Sequence, residues 1–330
     1  MKPTIGITGG TGYIGSSLAY RLSKKYQIIA LDIKEPNGQL PENVSFTKCD
    51  ITNGEEVKRA IEDTDVVIHT SIIQIPAIND HRRLGYEVNV IGTQNICQAV
   101  ENNEKTKGLI LSGSWHTIGE KELKGVINEE FGFRPDKVEE RARLYALSKM
   151  AQESIVRFYD EMTDKIFGII RMGTVLGEGM PPKTAANIFI ENGLNGKPLT
   201  PFKQSMYRPM LYVDINDICM AYEKFVEKIL SGNLNSQNSA AHIFNVYYHE
   251  PITIYELAKM TQEAIFELTN GKIQPKIDVI DNNQPSMFQE KDKDQITVDA
   301  KKAMDFLQLD KLKSPKESTQ EIIKNRLAKQ

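Results

Sequence analysis

A tyrosine and a lysine one helical turn apart can share a proton, and Tyr145-Ala-Leu-Ser-Lys149 has that spacing. Residues at i and i+4 lie on one helical face. An ammonium there lowers the phenol's pKa, and the phenol can then exchange a proton with a substrate hydroxyl near neutral pH. The spacing alone decides nothing, because Tyr20-Arg-Leu-Ser-Lys24 and Tyr255-Glu-Leu-Ala-Lys259 repeat it. Position separates the three. Tyr145 follows a strand ending in Ser112-Gly113-Ser114-Trp115-His116, and in an open parallel sheet ligands gather at the carboxyl ends of the strands. Ser114 can donate a hydrogen bond to a substrate oxygen beside Tyr145. Tyr20 and Tyr255 read as packing or surface residues.

Gly9-Gly10-Thr11-Gly12-Tyr13-Ile14-Gly15 carries a second chemistry. It follows the first apolar run and opens the first amphipathic one. Glycine lets the backbone turn tightly and approach a pyrophosphate, and the helix N-terminus offers free N–H groups to the anion. A strand before the loop and a helix after it make this a dinucleotide site with Gly9, Gly12, Tyr13, Ile14 and Gly15 as contacts. Asp32 ends the second strand, where a carboxylate accepts ribose hydroxyls and repels a 2′-phosphate. With Ser16 and Ser17 after the loop and only Lys34 nearby, the expected cofactor is NAD rather than NADP. Asp50-Ile51 after the third strand fits an adenine contact; a carboxylate capping the helix start at 52–55 fits Asp50 equally well.

The elements that hold these groups alternate. Strands are expected at residues 4–8, 27–31, 44–48, 65–69, 108–112 and 166–171, with helices at 13–25, 55–62, 87–102 and 139–161 between them. Nearly continuous Val/Ile runs are what strands buried on both faces require, and the alternation argues for a parallel sheet covered on both sides. The fold class is therefore α/β, a Rossmann doubly wound sheet with a smaller lobe interleaved in sequence. The NAD-binding domain is expected at 1–173, with 208–231 returning to it through a strand at Tyr212-Val213 and a helix at 214–230. Residues 174–207 and 232–330 would form most of the substrate lobe, with a helix at 184–194 and an exposed polar loop at 231–240.

Composition removes other classes. Of 330 residues 40% are hydrophobic and 26% charged, and the net charge is −3, which gives no electrostatic case for nucleic acid or an anionic membrane. Cys49, Cys97 and Cys219 lie far apart and the five histidines are scattered, so neither a disulfide framework nor a metal site is expected. No apolar run approaches the ~18–20 residues a membrane span needs, and no secretory signal precedes the first strand. A soluble, cytoplasmic protein is expected.

With the glycine loop, Asp32, Ser114 and Tyr145/Lys149 in this order, the chain resembles the extended short-chain dehydrogenase/reductase superfamily, and within it the NAD-dependent epimerase/dehydratase family. Val88-Asn89-Val90-Ile91-Gly92-Thr93-Gln94-Asn95 is similar to that family's NVxGTxN helix. Arg171, Lys197-Pro-Leu-Thr200, Arg208-Pro-Met-Leu-Tyr-Val-Asp214 and Val298-Asp-Ala-Lys-Lys-Ala303 resemble its later motifs. The resemblance implies that Tyr145 is the acid/base, that Lys149 orients the nicotinamide ribose and tunes Tyr145, and that Ser114 polarises the substrate oxygen. Arg208 would hold a nucleotide-sugar diphosphate. Thr174 stands where the family has asparagine, and the second phosphate-binding arginine is missing before the closing helix. Trp115-His116 replaces the Asp-Glu of the dehydratases, which disfavours 4,6-dehydration.

Ser114-Trp-His-Thr-Ile-Gly119 is also similar to the S-N-H-T-I-G segment of uronate dehydrogenases, in which the histidine and an arginine matching Arg208 bind the substrate. His116, Thr174 and Arg208 are thus the expected substrate residues, although His116 could instead be a satisfied core histidine. The leading expectation is a nucleotide-sugar epimerase using NAD. Alternatives are a net dehydrogenase of a free aldose or uronic acid, and a non-catalytic NAD sensor. By analogy with the family, the helix carrying Tyr145 and the one around 87–99 would build a homodimer.

Overall fold

The computed structural model describes residues 2–232, 234 and 240–329; most of the loop expected at 231–240 lies outside the described residues. The first half runs β1 (Thr4–Thr8), α1 (Tyr13–Leu22), β2 (Gln27–Asp32), β3 (Val44–Lys48), α2 (Gly54–Ala60), β4 (Val66–His69), α3 (Ala77–Asp80) and α4 (Arg82–Tyr86). A π-turn over Glu87–Ile91 joins α4 to α5 (Gly92–Asn102), and β5 (Gly108–Ser114), β6 (Gly125–Ile127) and α6 (Glu140–Met162) follow. Then come β7 (Ile166–Met172), β8 (Thr174–Leu176), α7 (Ala185–Leu194), β9 (Pro209–Met210), β10 (Tyr212–Asp214) and α8 (Ile215–Ser231). The chain closes with β11 (Ile243–Val246), β12 (Ile252–Thr253), α9 (Ile254–Leu268), β13 (Ile296–Val298), α10 (Lys301–Leu307) and α11 (Pro315–Leu327).

Seven parallel strands form one sheet in the order β11-β7-β5-β4-β1-β2-β3. Every residue of β4, β5, β7 and β11 is buried, which is why these strands are mostly apolar runs rather than alternating ones. The strand order reverses between β1 and β4, so a crevice opens beyond their carboxyl ends, between Gly9 and Thr70.

One expected return to the sheet does not occur. Tyr212–Asp214 pairs in parallel with β8, apart from the main sheet, and the edge place beside β7 belongs to Ile243–Val246. Gly173 explains the diversion: a Cβ there would lie 2.7 Å from the Leu211 carbonyl oxygen, so the chain leaving β7 meets β10 backbone to backbone. The following helix does return. Asp214 caps α8 through Asn216 N–H, the Phe225 ring of α8 sits over Gly168 of β7, and Tyr222 bonds Ser112 of β5 at 2.6 Å. The remaining strands pair as β9 with β12 and β6 with β13. Among the described residues no helix is long and apolar enough to cross a membrane.

Candidate active site

The glycine loop is built by contacts that exclude side chains. Gly9 has φ +66°, and a Cβ on Gly15 would lie 2.1 Å from the Gly9 carbonyl oxygen. Gly12 differs. A Cβ there would meet only the Gly9 oxygen at 3.2 Å, so packing does not demand glycine, and its bare backbone leaves room for a ligand. Gly12 is also the N-cap of α1 and offers no side-chain cap to that helix's first N–H groups. Free N–H groups at a helix start beside bare backbone are what a pyrophosphate needs, so the loop fits the dinucleotide. Asp32 stands beside it, its Oδ2 accepting from Thr11 N–H and its Oδ1 from Lys34 N–H, both at 3.2 Å.

Asp50 and Ile51 follow β3. Asp50 is exposed and its Oδ1 accepts from the Thr52 N–H and hydroxyl at 2.9 and 2.8 Å. The cap of α2 is Asn53 rather than Asp50. The Ile51 side chain is buried in the core, packed where Gly92 of α5 leaves space.

Tyr13, Ile14, Ser114, His116, Tyr145, Lys149, Thr174 and Arg208 all line one cavity of about 740 Å³. Ser114 ends β5, and its Oγ accepts from His116 N–H at 3.3 Å and lies 3.2 Å from His116 Nδ1. The Tyr145 ring meets the His116 ring edge-on at 5.8 Å between centroids, and Ser114 lies close enough to act on the phenol. Burial, with help from Arg208 and Arg141, pushes His116 down to about 3, so it is neutral near pH 7, and which of His116 Nδ1 and Ser114 Oγ donates follows the imidazole tautomer. His116 faces the cavity rather than the core. Thr174 accepts from the Trp115 indole N–H at 3.2 Å.

The same Tyr-x3-Lys spacing gives different chemistry at its three places. Lys24 sits 5.3 Å over the Tyr20 ring and Lys259 4.7 Å over the Tyr255 ring, ordinary cation–π pairs. Lys149 instead is buried and donates to the Ser112 carbonyl at 2.6 Å.

Lys149 is not among the groups that shift the Tyr145 phenol in this structure. Burial raises Tyr145 above its ordinary value, with the Ser114 hydrogen bond pulling the other way. Burial also lowers Lys149 to about 7, so near pH 7 the ammonium is only half populated and its pull on the phenol is weakened. The shift has a measurable consequence. A lysine depressed in the fold binds fewer protons there than in the unfolded chain between pH 7 and its ordinary 10.5, so its burial destabilises most at and below pH 7 and less as pH rises. Lys149→Met is therefore expected to be more stable than wild type at pH 7, with the gap closing by about 1.4 kcal/mol per pH unit above that. Denaturant titrations of both proteins from pH 6 to pH 10 would show it; a gap independent of pH would refute the assignment.

A buried network that no chemical signature revealed holds these groups in place. Thr93 gives its hydroxyl proton to the Asn89 carbonyl, so it accepts from His69 Nε2 at 2.9 Å and Gln152 Nε2 at 2.8 Å, leaving His69 Nδ1 to accept from Thr8 at 2.7 Å. Strand β1, just before the glycine loop, is thereby tied to α6. Within the π-turn, Asn89 bonds both backbone groups of Ile73 and donates to Ser148 at 3.0 Å. π-Turns often mark functional sites, and this one fixes the loop after β4 to the residue beside Lys149. The NVxGTxN pattern was the available signal.

Arg208 is buried, and its Nη1 pairs with Glu139. Neither Glu139 nor Arg141 was singled out in the sequence, yet both line the cavity. Only their place just ahead of the Tyr145 helix could have suggested them.

The sequence model of the NAD-dependent epimerase/dehydratase family matches residues 5–246. The chain belongs to that family. It is an enzyme of a family that uses NAD. A putative UDP-glucose 4-epimerase of Methanocaldococcus jannaschii is 26% identical over 255 residues, covering 74% of this chain and 81% of that protein. The solved structure of MoeE5 with UDP-glucuronic acid and NAD superposes with a TM-score of 0.77 at 18% identity, over 98% of this chain and 99% of the other. The UDP-glucose 4-epimerase of Thermus thermophilus with NAD gives 0.75 at 21% identity, over 98% and 99%. At these identities the structures establish the fold.

Proposed function

We propose that this family member is an epimerase of a nucleotide sugar. The observation that carries the reading is the continuity of the cavity. It runs from Thr70 and Ser114 at the strand ends and Tyr145 and Lys149 of α6 past Arg208 to Lys183 and Phe202 of the second lobe, a longer reach than a free monosaccharide needs beside a nicotinamide. The similarity to a putative UDP-glucose 4-epimerase supports it.

NAD, when bound, supplies the acceptor and donor of a hydride. The chain's own groups do the rest. Ser114 and Tyr145 would share one hydrogen-bonded oxygen of the substrate, so a carbinol there is gripped where its proton must leave. Tyr145 takes that proton as it gives up its own phenolic proton, for which Lys149, with its pKa near 7, is a matched acceptor, and both transfers reverse when the proton is returned. A sugar that turns in the cavity before the proton is returned comes back as its epimer. Gly9, Gly12, Gly15 and Asp32 would hold the dinucleotide; Thr174 and His116 would touch the sugar.

One observation favours the second reading, a dehydrogenase of a free uronic acid: neutral His116 lies in the cavity within the electrostatic reach of Arg208. The two readings part in one assay. With NAD and a panel of UDP-sugars, epimerisation changes stereochemistry without net reduced-nicotinamide absorbance. Stoichiometric reduced nicotinamide from glucuronate or galacturonate would replace the first reading with the second.

A homodimer belongs to the same proposal. Leu84, Tyr86, Ile91, Leu147, Phe158 and Met162 are large apolar side chains left exposed on α4, the π-turn and α6, and such a concentration of apolar surface marks an association face. A monomer mass by sedimentation would remove it.

A further inference from the structure

Glu139, the residue before α6, holds two guanidiniums with one carboxylate. Its Oε2 pairs with Arg208 Nη1, and its Oε1 accepts from Arg141 Nε at 2.9 Å. All three side chains line the cavity. Arg208 is buried, 8% exposed, and its Nε has no hydrogen-bond partner among the described residues. A buried donor left unpaired carries its full desolvation cost, so an acceptor is wanted there. With Nη1 committed to Glu139, the Nε–Nη2 edge is what remains for a ligand, and that edge has the fork geometry an oxyanion takes in a bidentate grip.

Charge points the same way. Two cations face one carboxylate, leaving an excess of one positive charge. Glu120 lies behind, its Oε1 accepting from Glu139 N–H at 3.1 Å and its Oε2 unpartnered. Burial raises the Glu120 carboxyl towards its neutral form, with Arg208 opposing. An anion in the cavity would balance the excess.

The family resemblance already gives Arg208 to a substrate oxyanion; we propose that Arg141 completes that seat as its second cation and that Glu139 positions both guanidiniums. Arg141 supplies a second cation from the start of the Tyr145 helix. The seat rests on the reading above only for the source of the oxyanion, because a nucleotide diphosphate and a uronate carboxylate present the same chemistry to it.

Calorimetric titration of the NAD-loaded protein with UDP and, separately, with glucuronate tests this. Arg141→Gln is expected to weaken the probe that binds by about tenfold with NAD affinity unchanged. Glu139→Ala should weaken it similarly, and Glu139→Gln, which keeps an acceptor oxygen, should recover part of the loss. Binding of glucuronate alone, sensitive to Arg141→Gln, supports the seat and removes the nucleotide. UDP binding within about twofold of wild type in Arg141→Gln keeps the nucleotide and overturns the seat. The seat is equally overturned if neither probe binds at millimolar concentration, or if NAD affinity falls in parallel.

Discussion

Tyr145→Phe is expected to lower kcat by about 10³-fold while leaving NAD affinity unchanged. The substitution removes one oxygen from a ring whose other contact, the edge-on packing against His116 at 5.8 Å, is kept. What is lost is the hydroxyl beside Ser114 in the cavity. Because burial holds that phenol above its ordinary pKa, it carries its proton at neutral pH until a substrate and the Lys149 circuit take part. Two other phenols, Tyr13 and Tyr212, line the same cavity, but burial pushes both hydroxyls well above the ordinary value, with Arg208 opposing only at Tyr212. Steady-state rates and NAD titration of the two proteins check this, and a variant retaining more than about a tenth of wild-type kcat would show that the proton travels by another group.

Gly15→Ala is expected to abolish NAD binding and to destabilise the fold together, whereas Gly12→Ala should lose NAD and keep the fold. At Gly15 the new methyl would sit 2.1 Å from the Gly9 oxygen and 2.8 Å from the Gly10 Cα, all of it backbone. Neither atom can yield without moving the loop, and overpacking of this severity costs on the order of 3 kcal/mol or more. At Gly12 the single neighbour at 3.2 Å can give by a few tenths of an ångström, so the methyl projects where a ligand backbone approach is needed. Thermal unfolding with and without NAD separates the two. Equal destabilisation in both variants would mean that Gly12 is structural, and the fit of the dinucleotide to this loop would lose its support.

Much of this was legible in the sequence because it follows from burial on two faces. Val66-Val-Ile68 and Gly108-Leu-Ile-Leu111 are apolar throughout since helices cover both sides of the sheet. The glycine loop and Ser114/Tyr145/Lys149 were legible because chemistry fixes residue type and order along the chain. The edge strand Ile243–Val246 was not read as part of the main sheet. It is four residues long, carries Asn245 inside it, and its only sheet neighbour, β7, lies some seventy residues earlier. Tyr212-Val213 was misassigned for the converse reason: its apolar run is satisfied by pairing with β8, which local pattern cannot distinguish from joining the sheet. Lys149's depressed pKa and the Glu139 pairing were out of reach altogether. Both depend on what surrounds a charge in space, and nearness in sequence reports only the turn of one helix.

The central claim is that the chain inverts a carbinol centre by removing and returning hydride while Tyr145 handles the hydroxyl proton. It is tested most directly by incubating the NAD-loaded enzyme with its UDP-sugar in deuterium oxide and recording the proton spectrum of the product. The account predicts an epimer that retains hydrogen at the inverted carbon, with deuterium only on exchangeable hydroxyls. Deuterium on that carbon would mean that a proton, not a hydride, had left it, and would contradict the mechanism.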